Sequence, residues 1–319
     1  MRFFSDAHYE FIEKRKIAYM ASIAVVAIGV AAMIFNVFTI GSWQNYGVDF
    51  TGGSLIQVRF ETEVTAGQLR DALGGASAPA ITRFGAENEF TIRAPLVEGQ
   101  GIEDVSNAIS AQIAEQFGAG SFDVVRTELV GPKIGAELQR KAGFAILFSF
   151  FLTLIYLAIR FELRFGSAAI IATVHDILIT LGFLALFRME IALPTVAALL
   201  TIVGYSLNDT IVVFDRIREN LNRKGGRRED PVKLVDRSIN ETLPRTVLTS
   251  GTTVAVLAAL LVLGGAVIRD FTMVMILGVI IGTYSSIFVA SPTLLEIQQR
   301  WGEKAQKGAK EAQKASASV

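Results

Sequence analysis

Six long apolar runs, separated by polar and basic stretches, set the plan of this 319-residue chain. They cover residues 17–40, 142–159, 165–187, 193–214, 247–268 and 271–295. A helix needs about 20 mostly apolar residues to cross a bilayer, so each run predicts a transmembrane span. The first exceeds the roughly 7 to 15 residues of a signal-peptide core, and no small-residue cleavage site follows it; it reads as an uncleaved anchor. The fifth and sixth are parted only by Arg269 and Asp270, which predicts a tight hairpin.

Between the first two spans the pattern changes. Residues 41–141 are polar overall and numerous enough to fold as one domain. Residues 54–60 alternate as a strand does, 65–73 read as a short helix, and 80–84 and 89–94 read as strands. Ile102, Val105, Ile109 and Ile113 share one face of a helix over 102–117, and 121–129 reads as a last strand. The order β-α-β-β-α-β is that of a ferredoxin-like split βαβ unit. The expected fold is a polytopic α-helical membrane protein of six spans, with an α+β ferredoxin-like outer domain between helices 1 and 2. The expected layout is an N-terminus over 1–16, span 1 over 17–40, the outer domain over 41–141, a five-helix bundle over 142–295 with a loop at 215–245, and a tail over 296–319. In the loop, Asp230 and Pro231 form a helix start. Val232, Val235, Ile239 and Leu243 follow at helical spacing, which predicts a short helix lying on the membrane surface. The Ala-, Lys- and Gln-rich tail is expected to be disordered or a loose helix.

Composition agrees, with 51% hydrophobic residues and a mean hydropathy of +0.46 that few soluble chains reach. The formal net charge of zero hides an asymmetry. Arg2, Lys14, Arg15 and Lys16 precede the first span, Arg160 and Arg164 follow the second, and the loop after the fourth holds eight basic residues from Arg216 to Arg237. The opposite side has only Arg188 and Arg269 in its short loops. The positive-inside rule puts both termini in the cytoplasm and the domain outside. The absence of cysteine excludes disulfides and thiolate metal sites, and two distant histidines suggest no metal centre. No nucleophile–base set or phosphate loop is visible, so neither an enzyme nor a nucleic-acid partner is expected.

The chemistry lies in the spans. Asp209 follows Asn208 inside the fourth, and Asp176 follows His175 near the middle of the third. A carboxylate at such depth costs roughly 2.5 to 3.5 kcal/mol on insertion scales, so it usually faces a bundle interior or a water path. On a helix Asp209 shares a face with Ile202, Tyr205, Ser206 and Val212. It reads as a proton carrier, the alternative being a structural hydrogen-bonding residue. Desolvation favours a carboxyl's neutral form and a nearby cation its charged form, so a cation that approaches and retreats would switch it. Arg245, in line with Thr249, Thr252 and Val256 on the fifth helix, could be that cation; the residues alone favour its snorkelling outward. Asp176, in line with Thr173 and Thr180, reads as a second proton site or a fixed anchor between helices. Asp215 and Glu219, among arginines, read as a solvated ion-pair network. Two glycine motifs bracket the outer domain: Val48 to Gly53, with Asp49, Gly52 and Gly53, and Val130 to Gly135, with Gly131, Pro132 and Gly135. Both read as a hinge or structural support where the chain leaves the membrane. Gly278 and Gly282 form a GxxxG pattern, a helix-packing signal.

Together these motifs resemble the SecF family of bacterial protein-export subunits. The resemblance rests on the two glycine motifs, on Val174-His-Asp176, on the stretch from Gly204 to Asn220, and on Arg237 to Thr246 running into Leu248-Thr-Ser-Gly-Thr-Thr253. It implies that Arg245 is a membrane arginine paired functionally with Asp209, which reverses the snorkelling preference, with Asp176, Asn208 and Thr249 beside the proton pathway. It implies half of a resistance-nodulation-division type core, with SecD supplying the other half, and the SecYEG channel and translocating preprotein as further partners. The bacterial inner membrane would be its location and protons its coupling ion, with no cofactor or metal. Two other classes stay open: a non-transporting scaffold of the translocon, and half of a proton-driven exporter of small molecules or lipids. The short outer loops after the third and fifth spans argue against the latter.

Overall fold

A computed structural model describes residues 8–75, 78–83, 88–95, 102–223, 225, 228–264 and 268–300. Outside them lie residues 1–7, Phe84 of the second expected strand, residues 265–267 of the fifth expected span and the tail beyond Arg300. Among the described residues, six helices are long and apolar enough to cross a membrane. They contain Arg15–Ile40 (α1), Pro132–Arg160 (α5), Leu163–Leu186 (α6), Leu193–Asn222 (α7), Pro231–Leu263 (α8) and Arg269–Ser285 (α9). The last continues through a π turn, Ser286–Ala290, to Arg300. The chain is a multi-pass membrane protein.

Between α1 and α5 lie Asn45–Tyr46 (β1), Val48–Thr51 (α2), Gly53–Phe60 (β2), Ala66–Ala72 (α3), Ala80–Arg83 (β3), Glu89–Pro95 (β4), Ile102–Phe117 (α4) and Phe122–Val130 (β5). The sheet order is β3-β4-β2-β5, antiparallel throughout. With α3 and α4 on one face, this is the split βαβ arrangement that the element order predicts. Alternation explains its core: Ile56, Val58, Phe60, Phe90 and Ile92 meet Leu69 of α3 and Val105, Ile109 and Ile113 of α4.

The bundle has an inner layer of α6, α7 and α9, with α1, α5 and α8 around it. Small residues permit the closest crossings. A Cβ on Gly29 of α1 would lie 2.7 Å from the Cα of Gly182 on α6. One on Gly278 would strike Ile202, and one on Gly282 would sit 2.9 Å from the Ser206 Cβ, so the GxxxG face of α9 seats α7.

The loop helix differs from the sequence reading. No separate surface helix starts at Asp230; α8 is one 33-residue helix running through Pro244. Asp230 caps it, accepting a 2.9 Å bond from the Val232 amide. Leu234, Val235, Ile239 and Leu243 are buried in one cluster with Phe214 and Ile217 of α7, while Val232 packs against its edge. The apolar stripe therefore rests on protein rather than on lipid. Packing on both sides outweighs the roughly 3 kcal/mol that an interior proline costs a helix.

The sheet domain is stitched to one end of the bundle, here the domain end; the other, where arginines cluster on α7 and α8, is the basic end. Glu190–Ile191 (β6), between α6 and α7, pairs in parallel with β1. Gln44 donates to the Leu181 carbonyl at 3.0 Å, and Asn45 to the Arg188 carbonyl at 3.0 Å.

Candidate functional site

Asp209 sits on the side of α7 that faces α8 and α9, and only 3% of it is exposed. Its Oδ2 accepts from Ser250 of α8 at 3.3 Å and from Thr283 of α9 at 3.4 Å. The two hydroxyl oxygens lie 2.6 Å apart, and the Thr283 hydroxyl also reaches the Val279 carbonyl at 2.8 Å. Each hydroxyl owns one proton, so these four contacts share two protons. Asp209 is thus held by uncharged groups alone, and when both donate to it the Ser250–Thr283 and Thr283–Val279 contacts are left without a proton.

Asp176 is bound differently. It is 1% exposed, and its Oδ2 accepts from Ser206 of α7 and, at 2.7 Å, from Ser285 of α9. Its Oδ1 lies 2.8 Å from Nδ1 of His175, whose ring stacks on Tyr284 at 6.3 Å between centroids. Ser206 and Ser285 satisfy one oxygen and the imidazole faces the other, so this carboxyl ties together α6, α7 and α9. His175 is therefore a partner of Asp176; its Nε2 is buried without a hydrogen bond to any described residue.

The structure does not join Arg245 to Asp209. Among the described residues no ion pair links them, and Arg245 is exposed on α8 beside the half-buried Thr249. Asn208 is exposed as well, in line with Thr201 and Gly204 on one face of α7. Tyr205, next to that face, donates to Thr253 of α8 at 3.2 Å. At the basic end Asp215 pairs with Arg160 at 2.7 Å, and Glu219 bonds Arg216 and Arg223, the ion-pair network expected there.

The two glycine motifs meet. Gly52 has φ +78° and Gly53 φ +144°, values that side chains rarely adopt. Gly53 then pairs with Val130, so both motifs lie at the root of the sheet. Gly131 precedes α5 in extended conformation with Pro132 at the first turn. A Cβ on Gly135 would sit 2.8 Å from the Phe50 carbonyl oxygen. Asp49 accepts at 2.9 Å from the Leu193 amide, satisfying a free donor at the start of α7. The motifs therefore clamp α2 and the root of the sheet to the start of the second span and brace them on the fourth.

What the sequence reading missed is the contribution of α9. Thr283, Tyr284, Ser285 and Ser286 form a run of four hydroxyl residues in an apolar helix, leading into the π turn that Ser286 begins. Three of them serve the two carboxylates or His175. That run was the available signal, since π turns gather at functional sites.

Two family descriptions match the root of the sheet domain and the part of the chain that runs from α4 through the last five spans. "Protein export membrane protein SecD/SecF, C-terminal" matches residues 109–300, which hold both carboxylates, and "SecD/SecF GG Motif" matches 45–64. The chain belongs to the SecF family. Curated SecF relatives include the protein translocase subunit SecF of Gemmatimonas aurantiaca, 48% identical over 94% of this chain and 90% of that one. That of Vibrio alginolyticus is 43% identical over 90% and 89%. Among solved structures, the crystal structure of SecDF, a translocon-associated membrane protein from Thermus thermophilus, aligns with TM-score 0.77 and 38% identity. The alignment covers 95% of this chain but 40% of that one, so a SecF chain of this size spans less than half of the SecDF chain.

Proposed function

We propose that this chain is the SecF half of a Sec accessory complex, in which proton flow through the membrane assists preprotein movement on the outer side. The observation that carries the reading is the setting of Asp209: a buried carboxyl, clasped by two hydroxyls that share their protons among four contacts. A proton on Asp209 would let it donate into that cluster, and its loss would leave a charge short of donors and attractive to Arg245. Protonation then releases Arg245 and deprotonation draws it in. Asp176, with its own donors, serves as the anchor about which the helices move.

The missing half belongs on the exposed face of Thr201, Gly204 and Asn208. Small and polar side chains facing lipid mid-membrane gain little there but suit close helix contact. That supports a SecD-like partner, as the length of the SecDF relative does. The SecYEG channel and the preprotein complete the assembly, in the bacterial inner membrane with both termini cytoplasmic. One charge moving through 100 mV yields about 2.3 kcal/mol, enough to bias a domain between two positions.

Infrared difference spectra of the complex in proteoliposomes, taken across a pH step, test the proton step. The native complex should show a protonated-carboxyl C=O band that Asp209→Asn removes. A spectrum unchanged by that substitution would make Asp209 structural and favour a scaffold.

A further inference from the structure

A cavity of about 340 Å³ lies within the bundle at the domain end, between α5, α6 and α7. Its α5 wall runs from Gln139 through Ala142 and Gly143 to Ile146, one helix face. Its α7 wall runs from Val196 to Val203, and α5 and α7 both descend from the domain end, so the two walls go down together. Seven residues at 1.5 Å each make the slot roughly 10 Å deep. Trp43 and Tyr46 stand at its mouth with ring centroids 6.3 Å apart, beside Gln139. Aromatic rings and an amide mark a membrane–water interface. Below them the walls are apolar.

The slot is a consequence of how α5 is held. At the domain end Gly135 presses on the backbone of Phe50, and at the basic end Arg160 pairs with Asp215 while Leu157 is buried. Between these fixed points α5 offers Ala142 and Gly143, too small to reach α7; nothing lies within 4 Å of a Cβ built on Gly143. An apolar void of this size is costly when empty.

We propose that this slot is a lipid site, holding one acyl chain of a phospholipid from the leaflet on the domain side. The slot is roughly 10 Å deep, about two helical turns, whereas a helix crossing the bilayer needs a wall of about 30 Å to lie against. It is too short to seat a spanning helix of a partner or of a passenger protein. An extended polypeptide would bring backbone N–H and C=O groups below the mouth, where no polar side chain meets them. A hydrocarbon chain has no such groups. The partner-facing stripe of Thr201, Gly204 and Asn208 lies roughly a third of a turn around α7 from Val196, Leu199 and Val203, so the slot is left to the bilayer. A bound chain would wedge α5 against the helix that carries Asp209.

The test uses the complex of this chain with its companion subunit, in vesicles of phosphatidylethanolamine and phosphatidylglycerol. A trace of phosphatidylethanolamine carries a diazirine on one acyl chain, and adducts are mapped by peptide after illumination. With the diazirine near the ester, adducts should concentrate at Trp43 and Gln139; near the methyl end they should move to Ile146 and Val203. Gly143→Phe, which fills the slot, should abolish the Val203 adducts while those on the exposed Phe148 face remain. Adducts spread evenly over the exposed faces, without that depth order, would overturn the proposal. So would a slot free of adducts in the native complex, as occupation by polypeptide or partner predicts.

Discussion

At Gly135 an added side chain would meet backbone on two sides, the Phe50 carbonyl oxygen at 2.8 Å and the Gly52 amide nitrogen at 2.9 Å. Neither can move without disturbing Gly52, whose positive φ suits glycine. Gly135→Val should therefore cost about 1–3 kcal/mol, the usual range for overpacking, and lower the melting temperature of the purified complex. An unchanged melting temperature would show that the clamp is loose. The glycines were legible because paired glycines at both ends of one domain imply close approach, although the sequence did not show that they touch each other. Asp209 and Asp176 were legible for a simpler reason: a carboxylate in an apolar span needs an explanation. Their different surroundings were not legible, because Ser250, Thr283 and Ser285 lie 41, 74 and 109 residues away along the chain.

Among elements, the junction between sheet and bundle includes one half-buried acid. Glu190 of β6 pairs with Arg93 of β4 at 3.1 Å. Burial pushes its carboxyl above the usual range, against the pull of Arg93, and the negative charges of Asp270 and Asp49 push the same way. A raised acid favours the folded state most at low pH and loses that contribution as pH rises through its folded value. Thermal stability of the native complex should therefore fall from acidic to neutral pH more steeply than that of Glu190→Gln, as followed by scanning fluorimetry. Parallel slopes would show that Glu190 does not carry this pH dependence. Hydrophobic periodicity showed the six spans and the elements of the four-stranded sheet domain, but not the two-residue strands β1 and β6 or the single turn α2, which are too short to carry a period. It misled at α8, where the basic loop suggested a short helix lying on the membrane surface; the apolar stripe of Leu234 to Leu243 was real, but periodicity cannot say whether lipid or α7 covers it.

For the whole molecule, three of the six spans pack mostly at the periphery, and the face of α7 that bears Thr201, Gly204 and Asn208 is left open. A half bundle of this kind should hold together alone and fail only in pairing. Gly204 has nothing within 4 Å of an added Cβ, so Gly204→Leu should leave this subunit folded but sharply reduce its co-purification with the SecD-like partner. Normal co-purification would place the partner on another face. The family was legible in the motifs, whereas the lateral slot beside α5 depends on how two distant ends of one helix are pinned.

The most direct test of the account is completion of a trapped export intermediate in inside-out vesicles, with and without an imposed proton gradient, comparing the native complex with Asp209→Asn at matched abundance. The account predicts that the gradient accelerates only the native complex. Equal acceleration of both would contradict it and leave Asp209 a structural residue.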